Sequence, residues 1–102
     1  MSGQYDIGLY GLAVMGQNFA LNMASHGFTV AVANRSPDKV DLTVRRAENE
    51  GKLPLVGYKD LNEFILSLKT PRKVIILVQA GKPVDDTIEK LAEFMEVREI
   101  YL

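Results

Sequence analysis

Apolar positions along this chain switch between short unbroken runs and the wider spacing of a helix face. Short apolar runs bounded by turn residues are typical of buried strands, whereas apolar positions three and four residues apart indicate an amphipathic helix. Strand-like runs lie at residues 5–10, 28–33, 53–58, 74–78 and 99–102. Helix-like segments lie between them at residues 15–25, 36–50, 60–69 and 83–96. The chain is therefore predicted to alternate strand and helix from end to end.

Turn and capping residues punctuate the predicted helices. Gly27 follows the first helix in the position that favours a left-handed backbone. Ser36 and Pro37 form an N-cap and a first helical residue for the second helix. Asp60 and Glu63 have the spacing of a capping box for the third. These signals support the helix boundaries drawn from the apolar pattern.

Two of the strands carry information about their place in a sheet. The run 74–78, Val-Ile-Ile-Leu-Val, is apolar at every position, which is typical of a parallel strand covered on both faces. The run 53–58 contains Pro54 and Gly57, which favours a place near an edge. The alternation predicts an α/β fold: a Rossmann-type, doubly wound parallel sheet of about five strands with helices on both faces. Residues 1–102 form one domain in this interpretation.

Composition narrows the class of protein further. An apolar fraction of 47% and a charged fraction of 25% are those of an ordinary soluble globular domain. The net charge of −1 argues against nucleic acid or an anionic membrane as a partner. The sequence has no cysteine, which excludes disulfides and thiolate metal sites, and no apolar run approaches the length of a membrane span. We expect a cytoplasmic protein.

A glycine turn between the first strand and the first helix is the leading candidate site. The turn has the pattern G-x-A-x-x-G, close to the G-x-G-x-x-G of dinucleotide-binding folds. A helix N-terminus presents unpaired N–H groups and the positive end of the helix dipole to an anion. We therefore expect this turn to bind a pyrophosphate. Its residues are Gly11, Leu12, Ala13, Val14, Met15 and Gly16.

A second candidate segment, Asn34, Arg35 and Ser36, follows the second strand. An NAD-selective site places an acidic residue here to bind the ribose 2′-hydroxyl, whereas this chain has a neutral and a cationic residue. The guanidinium of Arg35 suits a 2′-phosphate, with further hydrogen bonds from Asn34 and Ser36 and charge from Lys39. The segment predicts NADP rather than NAD as the cofactor.

A third candidate segment follows the fourth strand. In doubly wound sheets the ligand binds beyond the carboxyl ends of the strands, at the switch point that the first and fourth strands should flank. Val78, Gln79 and Ala80 are thereby predicted to line the nicotinamide side of the cofactor. No residue suggests a catalytic or metal-binding role, since the single histidine, His26, lies at the opposite end of the first helix.

Together these motifs resemble the 6-phosphogluconate dehydrogenase family. The resemblance rests on Gly-Leu-Ala-Val-Met-Gly-Gln-Asn at 11–18, Asn-Arg-Ser at 34–36, Pro-Arg-Lys-Val-Ile at 71–75 and Val-Gln-Ala-Gly at 78–81. It implies NADP-linked oxidative decarboxylation of 6-phosphogluconate to ribulose 5-phosphate, in the pentose phosphate pathway. The family is cytosolic and typically homodimeric. Many members carry Lys at the position of Gln79.

The resemblance also implies what this chain lacks. The family's catalytic Lys and Glu and its large helical domain, which forms the dimer, find no counterpart within residues 1–102. We therefore expect the NADP-binding portion of the enzyme, inactive by itself, with 6-phosphogluconate bound only by the full-length enzyme. Two alternatives stay open: an NADP-binding domain of a β-hydroxyacid dehydrogenase relative, and a non-catalytic NADP-binding or interaction module.

Overall fold

Strands and helices alternate as the apolar pattern predicts. The structure, a computed structural model, describes residues 4–69, 72–78 and 96–101. Within these residues the elements, in chain order, are β1 (Ile7–Tyr10), α1 (Val14–Ser25), β2 (Val30–Ala33), α2 (Pro37–Asn49), β3 (Leu55–Tyr58), α3 (Leu61–Leu66), β4 (Lys73–Val78) and β5 (Glu96–Tyr101).

The strands form one parallel sheet in the order β3-β2-β1-β4-β5. This order confirms the predicted Rossmann-type sheet and its number of strands, and it places β3 at an edge, as Pro54 and Gly57 indicated. β1 pairs with β2 on one side and with β4 on the other, so that Tyr10 lies beside both Ala33 and Ile76. The switch point therefore lies between β1 and β4, where the sequence predicted it.

Helices cover both faces of the sheet because the strand side chains point alternately to one face and the other. On one face, Phe64 and Ile65 of α3 pack against Tyr10 and Ile76. On the other, α1 and α2 pack against residues such as Leu9 and Val32. Burial of apolar side chains on both faces is the main stabilising contribution to this layered arrangement.

A polar cluster joins the amino ends of β1 and β2, at the end of the sheet opposite the glycine turn. The Asp6 carboxylate accepts hydrogen bonds from the Thr29 N–H and hydroxyl, each at 3.0 Å, and from Lys69 Nζ at 3.0 Å. The Thr29 N–H, followed by the Lys69 ammonium and the Thr29 hydroxyl, lowers the pKa of Asp6 from 3.8 to about 2. One carboxylate thus ties the starts of β1 and β2 to the segment after α3.

The end of α3 and the starts of β1 and β2 differ from the sequence prediction, chiefly because of contacts between residues that are remote in the sequence. α3 ends at Leu66 rather than near Lys69, because the Ser67 hydroxyl donates to the Phe64 carbonyl and the chain then pairs with Tyr5 through a bridge at Leu68. β1 and β2 begin later than predicted, at Ile7 and Val30, because Asp6 and Thr29 bond to each other's side chains just before them.

The last part of the chain is described only in part. The predicted helix from Pro83 falls on residues outside the described ranges, and its predicted last residue, Glu96, is instead the first residue of β5. β5 therefore starts earlier than the predicted strand at 99–102, and it pairs in register with β4 from Lys73 to Val78. Leu102 lies outside the described residues.

Candidate functional site

Gly11 makes the sharp turn at the end of β1. Its φ is +110°, a left-handed conformation that L side chains rarely adopt, and its N–H donates to the Ala33 carbonyl at 3.1 Å. A methyl group at this position would collide with the carbonyl oxygen of Leu77 in β4. The backbone turns here in a space that only glycine fits, directly at the switch point.

Gly16 lets α1 start immediately above that turn. A methyl group on Gly16 would collide with the Gly11 carbonyl oxygen and would lie 3.3 Å from the Leu77 side chain. Gly16 therefore permits close packing of the helix. The closest approach is to the turn itself rather than to the sheet surface.

The N-terminus of α1 presents its backbone to solvent. Ala13 is the N-cap residue, with extended backbone angles of φ −67° and ψ 174° and no side-chain capping bond. The first turn contains no acidic residue, and Val14 and Met15 are 68% and 60% exposed. Uncapped N–H groups and the positive end of the helix dipole thus lie open to an anion. Ala13, the departure from the glycine pattern, occupies an ordinary extended conformation that any residue can adopt.

Asn34 joins the segment after β2 to the glycine turn. Its Oδ1 accepts from the Leu12 N–H at 2.9 Å and its Nδ2 donates to the Ser36 carbonyl at 3.2 Å. The amide thereby orients the two predicted binding segments relative to each other. A direct bond from Asn34 to a 2′-phosphate, which would use its remaining N–H, stays a prediction.

Arg35 and Ser36 are exposed beside the turn, as a role in binding a phosphate requires. Ser36 is the N-cap of α2, yet its hydroxyl makes no capping bond to the helix. Lys39 is exposed on the first turn of α2, close to Asp38. The structure therefore brings segment 34–36 beside residues 11–16.

The third predicted segment is described only at its first residue. Val78 ends β4 and pairs with Tyr101 of β5, whereas Gln79 and Ala80 lie outside the described residues. The pairing of β1 with β4 places the end of β4 next to the glycine turn. A role of Val78, Gln79 and Ala80 on the nicotinamide side stays a prediction.

Two functional candidates, Gln17 and Arg46, were not predicted from the sequence. Gln17 is only 3% exposed, donates from Nε2 to the Leu12 carbonyl at 2.9 Å and accepts from Arg46 Nη1 at 3.0 Å. Arg46 also donates from Nη2 to Asn18 Oδ1 at 2.8 Å. The signal for Gln17 was present, because it shares the buried stripe of α1 with three apolar residues, Ala20, Leu21 and Ala24. A polar residue in such a stripe needs partners.

A groove of about 740 Å³ lies away from the glycine turn, between α2 and β3. Val40, Val44 and Gly57 form part of its apolar lining, with Asp41 and Lys59 paired at 3.1 Å on its rim. It is an open groove at the sheet edge and shares no residue with the three segments. We place the candidate site at the strand ends, because the uncapped helix and the close glycine contacts are there.

The described residues contain no cluster of three or more His, Cys, Asp and Glu side chains that could hold a metal ion. His26, the C-cap of α1, is exposed and bonds through Nδ1 with the Asn22 carbonyl at 2.7 Å, remote from the turn. None of the helices that the structure describes has the length and apolar character needed to cross a membrane.

Comparison with known proteins gives a consistent result. A family model described as the NAD binding domain of 6-phosphogluconate dehydrogenase matches residues 6–102. A chloroplastic decarboxylating 6-phosphogluconate dehydrogenase of Arabidopsis thaliana is 60% identical over 90 residues, which are 88% of this chain and 18% of that protein. The decarboxylating enzyme of Chlamydia muridarum is 47% identical over 97 residues, covering 95% of this chain and 20% of that protein.

A solved structure shows the same likeness. The 6-phosphogluconate dehydrogenase of Plasmodium falciparum, studied in its apo form, with its cofactor NADP+ and with its substrate 6-phosphogluconate, superposes with a TM-score of 0.78. It is 47% identical, and the match covers 94% of this chain and 20% of that one. The chain thus spans about a fifth of the length of the relatives it matches.

Proposed function

This chain belongs to the family of the NAD-binding domain of 6-phosphogluconate dehydrogenase, and from that premise we propose that it binds NADP(H). The family resemblance seen in the sequence is thereby confirmed. The observation that carries the proposal is the uncapped N-terminus of α1 above a turn that only glycine can form. In relatives the cofactor named with the solved enzyme is NADP+.

Each part of the site has a defined task in this proposal. The backbone of the glycine turn, Gly11 to Gly16 with Leu12, Ala13, Val14 and Met15 between them, holds the pyrophosphate through N–H groups and the helix dipole. Arg35 and Ser36, with Asn34 beside them, hold the 2′-phosphate. Val78, Gln79 and Ala80 flank the nicotinamide. Bound NADP+ supplies a hydride acceptor, and this chain's own residues bind and orient it.

The chemical reaction is a proposal for the longer protein of which the relatives are examples. We propose that residues 1–102 are its NADP-binding domain. With a catalytic and dimer-forming helical domain, it would carry out oxidative decarboxylation of 6-phosphogluconate. The homodimer and the cytoplasmic location implied by the resemblance stay predictions.

Calorimetric titration of the chain with NADPH and with NADH tests the binding proposal. Charge-assisted hydrogen bonds contribute about 1.5–3 kcal/mol, so the wild type should prefer NADPH by roughly tenfold to a hundredfold. Arg35→Glu should abolish that preference, because a carboxylate repels the 2′-phosphate. Equal affinity of the wild type for the two nucleotides would refute the assignment of segment 34–36.

Arg45→Glu is the matched control. Arg45 is exposed on α2, the helix that follows Arg35, about two turns after the first helical residue, and it lines the groove beside β3. The substitution changes the net charge by the same amount as Arg35→Glu. If it abolished the NADPH preference equally, a general charge effect rather than a 2′-phosphate contact would explain the result.

A further inference from the structure

The peptide groups on both sides of Leu12 are held by side chains from different elements. The Leu12 N–H donates to Asn34 Oδ1 after β2, and the Leu12 carbonyl accepts from Gln17 Nε2 in α1, both at 2.9 Å. The Leu12 side chain itself is fully buried. The centre of the glycine turn is thus fixed by hydrogen bonds at its donor, at its acceptor and by packing of its side chain.

Gln17 is held in turn by Arg46. Arg46 Nη1 donates to Gln17 Oε1 at 3.0 Å and Nη2 donates to Asn18 Oδ1 at 2.8 Å, while its Nε lies 3.8 Å from a Glu50 carboxylate oxygen. A guanidinium is a rigid fork, so two bonds to neighbouring residues of α1 fix its plane. A chain of hydrogen bonds therefore runs from α2 through a buried amide to the glycine turn.

This arrangement sets the direction of a backbone N–H group. In a trans peptide the carbonyl and the following N–H point to opposite sides. Because the Leu12 carbonyl points toward buried Gln17, the N–H of Ala13 points away from Gln17, and Ala13 itself is exposed at the N-terminus of α1. An anion can approach from that exposed side.

We propose that Gln17 and Arg46 are positioning residues that hold the Leu12–Ala13 peptide so that its N–H faces the pyrophosphate of the cofactor. The proposal rests on the binding function proposed above. Neither side chain contacts the cofactor in it. The buried amide orients the turn, and the guanidinium orients the amide.

Loss of a positioning residue should affect nucleotide binding differently from loss of a side chain that binds the 2′-phosphate. The pyrophosphate is common to NADPH and NADH, so loss of the chain of bonds should weaken the two nucleotides by the same factor. Arg35, by contrast, should change their ratio. Purely structural damage would lower the stability of the fold without lowering affinity, as long as nearly all molecules stay folded.

The test uses Gln17→Glu and Arg46→Ala, with Arg45→Ala as the control that removes the same charge from α2. A glutamate still accepts from Arg46 and cannot donate to the Leu12 carbonyl when ionised, so it loses the bond to the turn and keeps the bond to Arg46. Calorimetry should show that both variants bind NADPH and NADH about threefold to tenfold more weakly with an unchanged ratio. Arg45→Ala should match the wild type.

Thr43→Val supplies a control for stability. It removes the bond from Thr43 Oγ1 to the Lys39 carbonyl, 2.7 Å, inside α2 and away from the turn. We expect a lower free energy of unfolding in urea and unchanged affinity. If Gln17→Glu likewise kept full affinity while losing stability, Gln17 would be a structural residue and the proposal would be wrong.

Amide hydrogen exchange in the nucleotide-free chain separates this proposal from the binding function. Loss of the Gln17 bond releases the Leu12 carbonyl and loosens the turn, which should raise the exchange rate of the Leu12 N–H, the group bonded to Asn34, about tenfold relative to Arg45→Ala. Unchanged exchange at Leu12 in both Gln17→Glu and Arg46→Ala would overturn the positioning role, whatever the nucleotide affinity. If the wild type bound neither nucleotide while exchange was raised in the variants as expected, the proposed function would be wrong. Gln17 and Arg46 would then hold the glycine turn, but not for a pyrophosphate.

Discussion

Gly11 and Gly16 show how single residues define the turn at the end of β1. Gly11 supplies a left-handed backbone against the Leu77 carbonyl, and Gly16 leaves room for the Gly11 carbonyl. The two contacts interlock, because the group that Gly16 accommodates belongs to Gly11. A substitution at either position therefore disturbs the same few atoms.

Gly16→Ala is a test in which two effects have opposite signs. Helix propensity alone predicts that alanine stabilises an interior helical position by about 1 kcal/mol. The collision with the Gly11 carbonyl predicts a loss of about 1–3 kcal/mol, as for an overpacked core. We expect a net loss in urea unfolding, with Asn22→Ala on the exposed side of α1 unchanged within about 0.5 kcal/mol. A stabilised Gly16→Ala variant would show that the helix does not lie this close.

At this scale the sequence predicted residue types better than their partners. The glycine spacing indicated Gly11 and Gly16, because a tight turn between a strand and a helix has space for few residues other than glycine. Asn34 was recognised as a candidate, and its bond to the Leu12 N–H was not, because it joins residues that are adjacent only in the folded sheet. Arg46 was missed for the same reason, whereas Gln17 was missed although its place in the buried stripe of α1 was a signal.

Helix α1 differs from α3 in how its N-terminus is treated. The Asp60 side chain caps α3 by accepting from the Asn62 N–H at 3.4 Å, whereas Ala13 leaves α1 uncapped. A capping side chain stabilises a helix but occupies N–H groups that a ligand could use. The structure thus keeps the open end where the sequence places the binding motif.

Ala13→Asp should separate stability from binding. Aspartate is a favoured N-cap, and the extended backbone of Ala13 suits it, so the free energy of unfolding should rise by about 1 kcal/mol. NADPH affinity measured by calorimetry should fall about tenfold or more, because the carboxylate occupies the place of a phosphate and repels its negative charge. Ala13→Ser, a neutral cap, should stabilise similarly and weaken binding less. Undiminished NADPH binding by Ala13→Asp would place the phosphates elsewhere.

Elements of the described chain were predicted well where a long pattern fixed them and less well at their ends. The apolar run 74–78 identified β4, and Ser36 and Pro37 correctly marked the start of α2. The early end of α3 depends on a bridge between Leu68 and Tyr5, which are remote in sequence. Local propensity carries no information about such a contact.

The whole molecule is a parallel sheet with different chemistry at its two ends. The carboxyl ends carry the open helix terminus, and the amino ends carry the Asp6 cluster that joins β1, β2 and the segment after α3. The strand order could be predicted because crossover rules leave few arrangements for alternating strands and helices. The Asp6 cluster could not, since it unites Thr29 and Lys69 only after the sheet has formed.

Asp6 gives the fold a defined response to acid. Its pKa is lowered to about 2 in the folded chain, so its contribution to stability is complete above the ordinary value of 3.8 and is lost as the pH falls toward 2. We expect Asp6→Asn to be less stable than the wild type in urea at about pH 6, and the difference to shrink steadily between about pH 4 and pH 2.

Asp41→Asn is the control for that series. Asp41 pairs with Lys59, the residue after β3, on the rim of the groove, and it is not part of the Asp6 cluster. A difference between Asp6→Asn and the wild type that stayed constant down to pH 2 would mean that the cluster stabilises the fold without depending on the carboxylate charge.

The contact between Gly11 and Leu77 also bears on the order in which the molecule is made. The glycine motif is translated early, whereas the Leu77 carbonyl that lies against the turn belongs to β4, much later in the chain. Parallel strands pair only after the connection between them is complete, and such long-range contacts form slowly. A nascent chain that has not reached residue 77 has every residue of the glycine motif but lacks the Leu77 carbonyl that lies against the turn. Under the proposed function, cofactor recognition is therefore acquired during synthesis only when β4 has paired with β1 in the middle of the sheet.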